Sequence, residues 1–329
     1  MTVICVDAMG GDERPEVVLE GIAQALAQDS NLEVLVAGNR EVVEPFCEKT
    51  ERAGALITTE VIEMDEHPAE AVRAKKDSSI VRGCAAVRAH EAEGFFSAGS
   101  TGAIFAAATL NVGRIRSIKR PALATALPGV GGHKTVMLDL GANADVRPEM
   151  MVQFARMGRA YAKVVLGVTD AKVGLLSNGS EDTKGSEQAL AYHEALRQSA
   201  CGFVGNAEGK DLLLGSFDVI VSDGFTGNVA LKSMEGTAKY LLGTIKAATE
   251  HSVANKIGAL LLKGALKQAA HELSGEAYGG AVLLGLKAPV FIGHGATSKE
   301  AVAQGCAACA AAVRAQLVDG IIQELKDAE

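Results

Sequence analysis

The feature of this sequence that most restricts its fold is a pattern repeated along the chain. A short β-branched or apolar run is followed by a turn rich in Gly, Asp or Asn, and then by a segment of helical period. Such alternation makes successive strands parallel and lays the connecting helices on the faces of the sheet. The runs predict strands at 3–7, 33–37, 56–62, 95–98, 123–127, 135–140, 172–176, 202–204, 219–222 and 290–292. The periodicity predicts helices at 16–28, 40–53, 79–93, 102–113, 148–166, 185–198, 226–248 and 298–326. Pro15 and Pro148 stand near helix starts, where the missing N–H costs least. No repeat, low-complexity linker or Pro/Ser-rich hinge interrupts the pattern, so residues 1–329 are expected to form one interwoven α/β unit.

Composition narrows the function classes. Trp is absent and aromatics are 4%, so Ala, Val, Leu and Ile must build the core, as suits helices packed on buried parallel strands. The same scarcity argues against base-stacking platforms, and a net charge of −8 provides no general cationic field for nucleic acid. No uncharged apolar run reaches the roughly 18 residues a membrane-spanning helix needs. The opening residues lack a charged segment followed by an apolar one, and the six cysteines are scattered, so a reducing cytoplasm is expected. Cys306 and Cys309 form a C-x-x-C pair, but in an Ala-rich helical run with no second ligand pair downstream they read as small helix residues and no metal is expected.

Residues 249–276 are helical in pattern without a strand partner. Ile257, Leu260, Leu261, Leu262 and Leu266 cluster between Lys256, Lys263 and Lys267. A basic amphipathic insert of this kind suits an anionic lipid surface, a partner helix or a dimer interface.

Chemistry is expected outside the strand ends, where loops enter helix N-termini and backbone N–H groups point at anions. Six polar Gly loops occupy such places. They supply Gly10, Gly11 and Asp12; Gly99, Ser100, Thr101 and Gly102; Asp139, Gly141 and Asn143; Glu181, Lys184 and Gly185; Glu208; and Asp223, Gly224, Gly227 and Asn228. Glycine permits close backbone approach, hydroxyls and amides supply neutral donors, and Lys184 adds a point charge, which together suit phosphate. His294, between two glycines after the last predicted strand, is a candidate acid, base or hydrogen-bond partner. Two basic clusters, at Arg73, Lys75 and Lys76 and at Arg114, Arg116, Lys119 and Arg120, could dock an acidic protein. Residues 129–135, GVGGHKT, look like a phosphate-binding P-loop, yet His133 replaces a required Gly and the segment leads into a strand instead of leaving one. The G-x-G-x-x-G, H-E-x-x-H and G-x-S-x-G signatures of other enzyme classes are missing.

In order along the chain, VDAMGGD at 6–12, AVRAKKDSS at 71–79, SAGSTGA at 97–103, LDLGAN at 138–143, EDTKG at 181–185, VGNAEGKD at 204–211, DGFTGNVALKSMEG at 223–236 and YGGAVLLGL at 278–286 resemble the signatures of the phosphate acyltransferase (PlsX) family of bacterial phospholipid synthesis. The resemblance implies transfer of a fatty acyl group from acyl carrier protein to inorganic phosphate, without a cofactor, giving an acyl phosphate for the next enzyme of glycerol-phosphate acylation. It implies a three-layer α/β/α, mostly parallel fold like phosphotransacetylases and isopropylmalate dehydrogenases, with a helical protrusion. It also implies a homodimer attached peripherally to the inner face of the cell membrane, with 249–276 as the membrane-facing region. On this reading Lys184 stabilises charge at phosphate, Asn228 and Asn143 hydrogen-bond carbonyl or phosphate, the Ser100/Thr101 loop holds phosphate, and Asp12 and Asp223 orient loops. Hydrogen phosphate is already a nucleophile, so alignment and oxyanion donors suffice. Ser100 stands where the family commonly has Asn, Ser177-Asn178 where Asn precedes an aliphatic residue, and Ala296 where Ser is usual. The alternatives are a phosphotransacylase using coenzyme A thioesters, a dehydrogenase of the related fold, for which the required aspartate cluster is missing, and a non-catalytic lipid-binding scaffold.

Overall fold

The computed structural model describes residues 1–329 except 13, 251, 253, 254, 256, 257, 259, 265–278, 296, 297 and 327–329. The first part of the chain forms β1 (Thr2–Asp7), α1 (Glu16–Gln28), β2 (Leu32–Gly38), α2 (Arg40–Cys47), β3 (Ala53–Ile57), α3 (Pro68–Ala74), α4 (Ser79–Arg88), β4 (Gly94–Ser97) and α5 (Thr101–Asn111). A central hairpin of β5 (Ala122–Pro128) and β6 (Lys134–Leu138) follows. Then come α6 (Pro148–Leu166), β7 (Val173–Leu176), α7 (Glu187–Arg197), β8 (Phe203–Ala207), β9 (Val219–Val221) and α8 (Gly224–Glu250). The chain returns through β10 (Ala281–Leu284), β11 (Val290–Ile292), α9 (Lys299–Arg314) and α10 (Leu317–Lys326).

All eleven strands join in one sheet, ordered β3-β2-β1-β4-β11-β10-β5-β6-β9-β7-β8. Helices cover both faces, giving the three-layer α/β/α architecture. One face carries the core of Ile22, Phe154, Met151 and Leu196, contributed by α1, α6 and α7. The other packs Ile80, Ile104 and Ala107 of α4 and α5 against Phe95, Met137 and Ile220. Because both faces are covered, strands such as β1 (TVICVD) read as continuous apolar runs with little alternation.

The sheet is parallel except at its middle. There β10 pairs antiparallel with both β11 and β5, and β5 pairs antiparallel with β6. Three reversals in succession leave β6, β9, β7 and β8 running opposite to β1, β2, β3, β4 and β11. The six Gly loops therefore do not share one edge, as the alternation pattern implied. The loops after β1, β4 and β11 lie at one end of the sheet, and those after β6, β7, β8 and β9 at the other. The 129–135 segment is the turn of the β5–β6 hairpin, with the Gly129 N–H on the His133 carbonyl at 2.7 Å.

Helix α6 occupies the predicted 148–166, started by Pro148 and stopped by Gly167 in the left-handed region at φ +76°. Three other predicted helices run too long, and each overrun contains a non-glycine residue with positive φ: Arg52 (+65°), His90 (+62°) and Gln316 (+55°). The predicted 40–53 ends at Cys47, 79–93 ends at Arg88, and 298–326 breaks into α9 and α10. Arg52 also places β3 earlier than the predicted 56–62. Its guanidinium donates to the Asp29 and Leu32 carbonyls, at 2.7 Å each, and fixes the Val34 to Ala53 register. Strand β10 and helix α3 were not anticipated. β10 is only four residues long, between Gly280 and Gly285 at φ +91° and +95°.

Candidate functional site

A cleft of about 580 Å³ opens over the antiparallel middle of the sheet. Its floor is Leu123, Thr125 and Leu127 of β5, every second residue, with Leu283 of β10. Its walls are α5, through Phe105, and α8, through Leu231 and Met234. These helices follow strands of opposite polarity, so α5 enters the cleft N-terminus first at one end and α8 at the other. Neither carries an acidic residue in its first turn, and Ser100, the buried N-cap of α5, makes no capping bond with its side chain. The leading N–H groups of α5 are thus left for a ligand acceptor, with the positive end of the helix dipole behind them.

Asp7 and Ser97, at the ends of β1 and β4, hold this first terminus. The fully buried Asp7 carboxylate accepts the Met9 N–H at 2.9 Å and the Ser97 hydroxyl at 2.7 Å, and Ser97 Oγ accepts the Gly99 N–H at 3.0 Å. Burial pushes the Asp7 carboxyl above its ordinary value, against hydrogen bonds from Ser79, Ser97 and Met9. Gly10 is required by proximity: a Cβ there would lie 2.6 Å from the Gly99 nitrogen. Gly11 takes φ +99°, and the Asp12 N–H donates to the Gly295 carbonyl at 2.9 Å, tying this loop to His294.

At the other end Asp139, also fully buried, accepts from Leu123 N (3.0 Å), Gly141 N (3.3 Å), Ala142 N (3.0 Å), Asn143 N (2.8 Å) and Asn143 Nδ2 (2.8 Å). Burial raises its pKa while these bonds oppose the rise, and a site lined by N–H donors binds the carboxylate form. Asn143 Nδ2 also donates to the Pro121 carbonyl at 2.8 Å. Both amide hydrogens are thereby committed, so Asn143 orients this loop and has no N–H left to donate to a substrate carbonyl. Asp223 caps α8 by accepting from Thr226 N and Thr226 Oγ1, at 2.8 Å each. Added Cβ atoms at Gly224 and Gly227 would lie 2.6 Å from the Asn143 carbonyl oxygen and 1.9 Å from the Asp139 carbonyl oxygen, so α8 is pressed against the Asp139 loop. Asn228 lies beside Gly141, with its side chain 3.6 Å from where a Gly141 Cβ would sit.

Of the residues singled out in the sequence, Gly99, Thr101, Gly102, Gly141, Asn228 and His294 line the cleft. Gly10, Gly11, Asp12, Ser100, Asp139, Asn143, Asp223, Gly224 and Gly227 shape the loops behind them. Lys184, Glu181 and Gly185 are not among the lining residues. Their loop follows β7, where Lys184 is exposed and its N–H reaches the Glu181 carbonyl at 3.0 Å. That loop is held by Asn206, whose Nδ2 donates to the Glu181 carbonyl at 2.8 Å and whose Oδ1 meets His193 Nδ1 at 3.0 Å. Glu208 is not among the lining residues either; it caps the short 3₁₀ turn Gly209–Leu213 and ion-pairs with Lys210. Cys306 and Cys309 are buried in α9, and desolvation pushes the Cys306 thiol up to about 12. Ala296, Ile257, Leu266, Lys256 and Lys267 lie outside the described residues, as does most of 249–276. The floor of the cleft escaped sequence reasoning because β10 did. Asp7 and Ser97 carried a signal, as polar residues ending apolar strands.

A family model described as "Fatty acid synthesis protein" matches residues 2–319. A phosphate acyltransferase of Lysinibacillus sphaericus is 46% identical over 299 residues, covering 91% of each chain. One of Streptococcus agalactiae is 42% identical over 329 residues, covering 99% of this chain and all of its own. Among solved structures, a phosphotransacetylase from Streptococcus pyogenes superposes with TM-score 0.62 at 17% identity, covering 97% of this chain and 94% of its own. A branched-chain phosphotransacylase from Enterococcus faecalis gives 0.60 at 13% identity, covering 94% and 99%. At those identities the structural likeness concerns the fold.

Proposed function

This chain belongs to the phosphate acyltransferase family, and from that membership we propose that it transfers a fatty acyl group from acyl carrier protein to inorganic phosphate. Phosphate binds at the N-terminus of α5, where the Thr101 and Gly102 N–H groups and the helix dipole receive it. An oxygen of hydrogen phosphate bonds to the thioester carbonyl carbon, the C–S bond breaks, and the sulfur leaves as a thiolate that takes up the proton hydrogen phosphate gives up, directly or through water. Acyl phosphate and free carrier result. Asn228 Nδ2 donates to the thioester substrate from the other end of the cleft, His294 hydrogen-bonds phosphate, and Lys184 brings positive charge from the β7 loop. No side-chain nucleophile is needed, and the apolar floor of Leu123, Leu127 and Leu283 takes the acyl chain.

The observation that carries this reading is the uncapped N-terminus of α5 at one end of an apolar cleft whose other end holds Asn228. The product is an activated mixed anhydride, consumed in glycerol-phosphate acylation. The enzyme works as a homodimer in the cytoplasm, bound peripherally to the inner face of the membrane. Leu260, Leu261 and Leu262, exposed at 71%, 81% and 58%, make that contact, and no single helix among the described residues is long and apolar enough to cross a bilayer.

The test is incubation of the purified protein with palmitoyl–acyl carrier protein with and without phosphate, followed by mass spectrometry of the carrier and hydroxylamine trapping. Phosphate-dependent deacylation with a trapped hydroxamate is expected. A carrier that stays acylated, while palmitoyl-coenzyme A is consumed, would replace the carrier by coenzyme A as the donor.

A further inference from the structure

Of the two basic clusters in the sequence, one commits its central lysine internally. Lys75 donates to the Val61 carbonyl at 2.7 Å and ion-pairs with Glu66, leaving Arg73 and Lys76. The other is different. Residues 112–121 join α5, a wall of the cleft, to β5, its floor, and expose Arg114, Arg116, Lys119 and Arg120. Arg147, 67% exposed, adds a fifth cation, and Glu149 bridges Lys119 at 2.9 Å and Arg147 at 3.3 Å. Arg116 and Arg120 make no hydrogen bond or ion pair among the described residues. On a chain of net charge −8 this is a local concentration of opposite sign.

The loop is also rigidly placed. The Lys119 N–H donates to Gln153 Oε1 and Gln153 Nε2 donates to the Ser117 carbonyl, at 2.9 Å each, fastening the loop to α6. The Ile115 N–H reaches the Gly285 carbonyl at 3.0 Å, and the Pro121 carbonyl accepts from Asn143 Nδ2 at 2.8 Å. Asn143 belongs to the same Asp139-held loop that gives Gly141 and Ala142 to the cleft. The cations therefore stand beside the Asn228 end of the cleft, preorganised for a partner that must deliver a group into it.

We propose that this loop, through Arg116 and Arg120 with Arg147, docks an acidic protein surface, that of the carrier presenting the acyl thioester. The inference rests on the carrier-dependent reaction above. Exposed charges of this kind act chiefly on encounter rate and partner choice, and their effect falls with salt.

The experiment measures full-length wild type and the Arg116→Glu/Arg120→Glu double variant with palmitoyl–acyl carrier protein and with palmitoyl-coenzyme A, each across a salt series. In the variant, KM for the carrier thioester should rise at least about tenfold and lose most of its salt dependence, with kcat/KM for the coenzyme A thioester unchanged. An Arg73→Glu/Lys76→Glu variant should leave both donors unaffected. An unchanged carrier KM overturns the proposal. So does an equal loss with both donors, which would mean the loop acts through the Pro121–Asn143 bond. If the wild type itself ignores the carrier thioester, the donor assignment fails first and the docking site with it.

Discussion

Gly227→Ala is the sharpest available test of how α8 and the Asp139 loop cooperate. The added Cβ would lie 1.9 Å from the Asp139 carbonyl oxygen and 2.6 Å from Ser222 Oγ, and real Cβ atoms essentially never come within 3.0 Å of another heavy atom. Because the obstacle is backbone, helix and loop must separate by about 1 Å, a displacement that can cost on the order of 100-fold in rate when it moves reacting groups. The moved groups are Asn228, the next residue, and Gly141, two residues beyond Asp139. Overpacking of this kind costs roughly 1–3 kcal/mol, within a total stability of about 5–15 kcal/mol, so the variant should fold. Gly236→Ala, the same substitution in the same helix, meets nothing within 4 Å. It should keep the wild-type rate and gain up to about 1 kcal/mol from helix propensity. The assay is phosphate-dependent release of carrier thiol from palmitoyl–acyl carrier protein, with urea unfolding of all three proteins. A folded Gly227→Ala protein working at the wild-type rate would refute the coupling of this contact to catalysis.

Three further outcomes are expected. Burial raises the Asp7 pKa above 3.8, so the native state holds that proton more tightly than the unfolded chain, and the group's contribution to stability falls as pH rises from 3.8 through the raised value. Wild type should accordingly lose stability relative to Asp7→Asn across that window and run parallel to it above; urea midpoints that diverge in the opposite sense would reverse the sign of the burial effect. Lys184→Ala should lower turnover by on the order of 100-fold with an unchanged unfolding midpoint; undiminished turnover would leave Lys232, which does line the cleft, as the lysine to examine. Changing Leu261 and Leu262 together to Glu should release the protein from anionic liposomes while sparing activity in a detergent-free soluble assay. Unaltered liposome binding would assign those leucines to an interface between copies of the chain.

What the sequence made legible follows the strength of its local signals. Helix α6 was readable to the residue because a Pro starts it and a Gly stops it. The overruns of the predicted helices contain Arg52, His90 and Gln316, left-handed residues with a Cβ, which send no glycine signal. The candidate loops were readable because close packing demands glycine. At Gly10, Gly224 and Gly227 a single methyl would strike backbone, and that demand is visible in the residue itself. Which loops meet was not readable, since it depends on strand polarity. Strand β10 sets that polarity with four residues, too few for periodicity to separate from a turn. Lys184 and Glu208 have the residue type and glycine context of a ligand site, but that neither lines the cleft was not readable, since it is decided by the placement of β7 and β8 in the sheet.

The reversal of polarity also accounts for a feature that would otherwise count against an anion site, the two buried carboxylates behind it. In a fully parallel sheet one set of helix N-termini faces one edge, and a ligand sees donors from a single direction. Here α5 and α8 arrive from opposite ends, so a cleft only a few strands wide is bounded by donors at both ends, and the loops leading into each helix must turn sharply after the strand. Each turn leaves backbone N–H groups pointing inward with no strand partner. Asp7 and Asp139 take those N–H groups, and by satisfying them hold Ser97 to Gly99 and Gly141 to Asn143 in fixed positions. Burying each charge lowers stability, as the upward pKa shifts register, and what is gained is placement of the uncapped α5 terminus and of Asn228 without any flexible side chain intervening. On the proposed reading, a phosphate received by these backbone donors is aligned before the thioester arrives, and alignment is what the reaction needs.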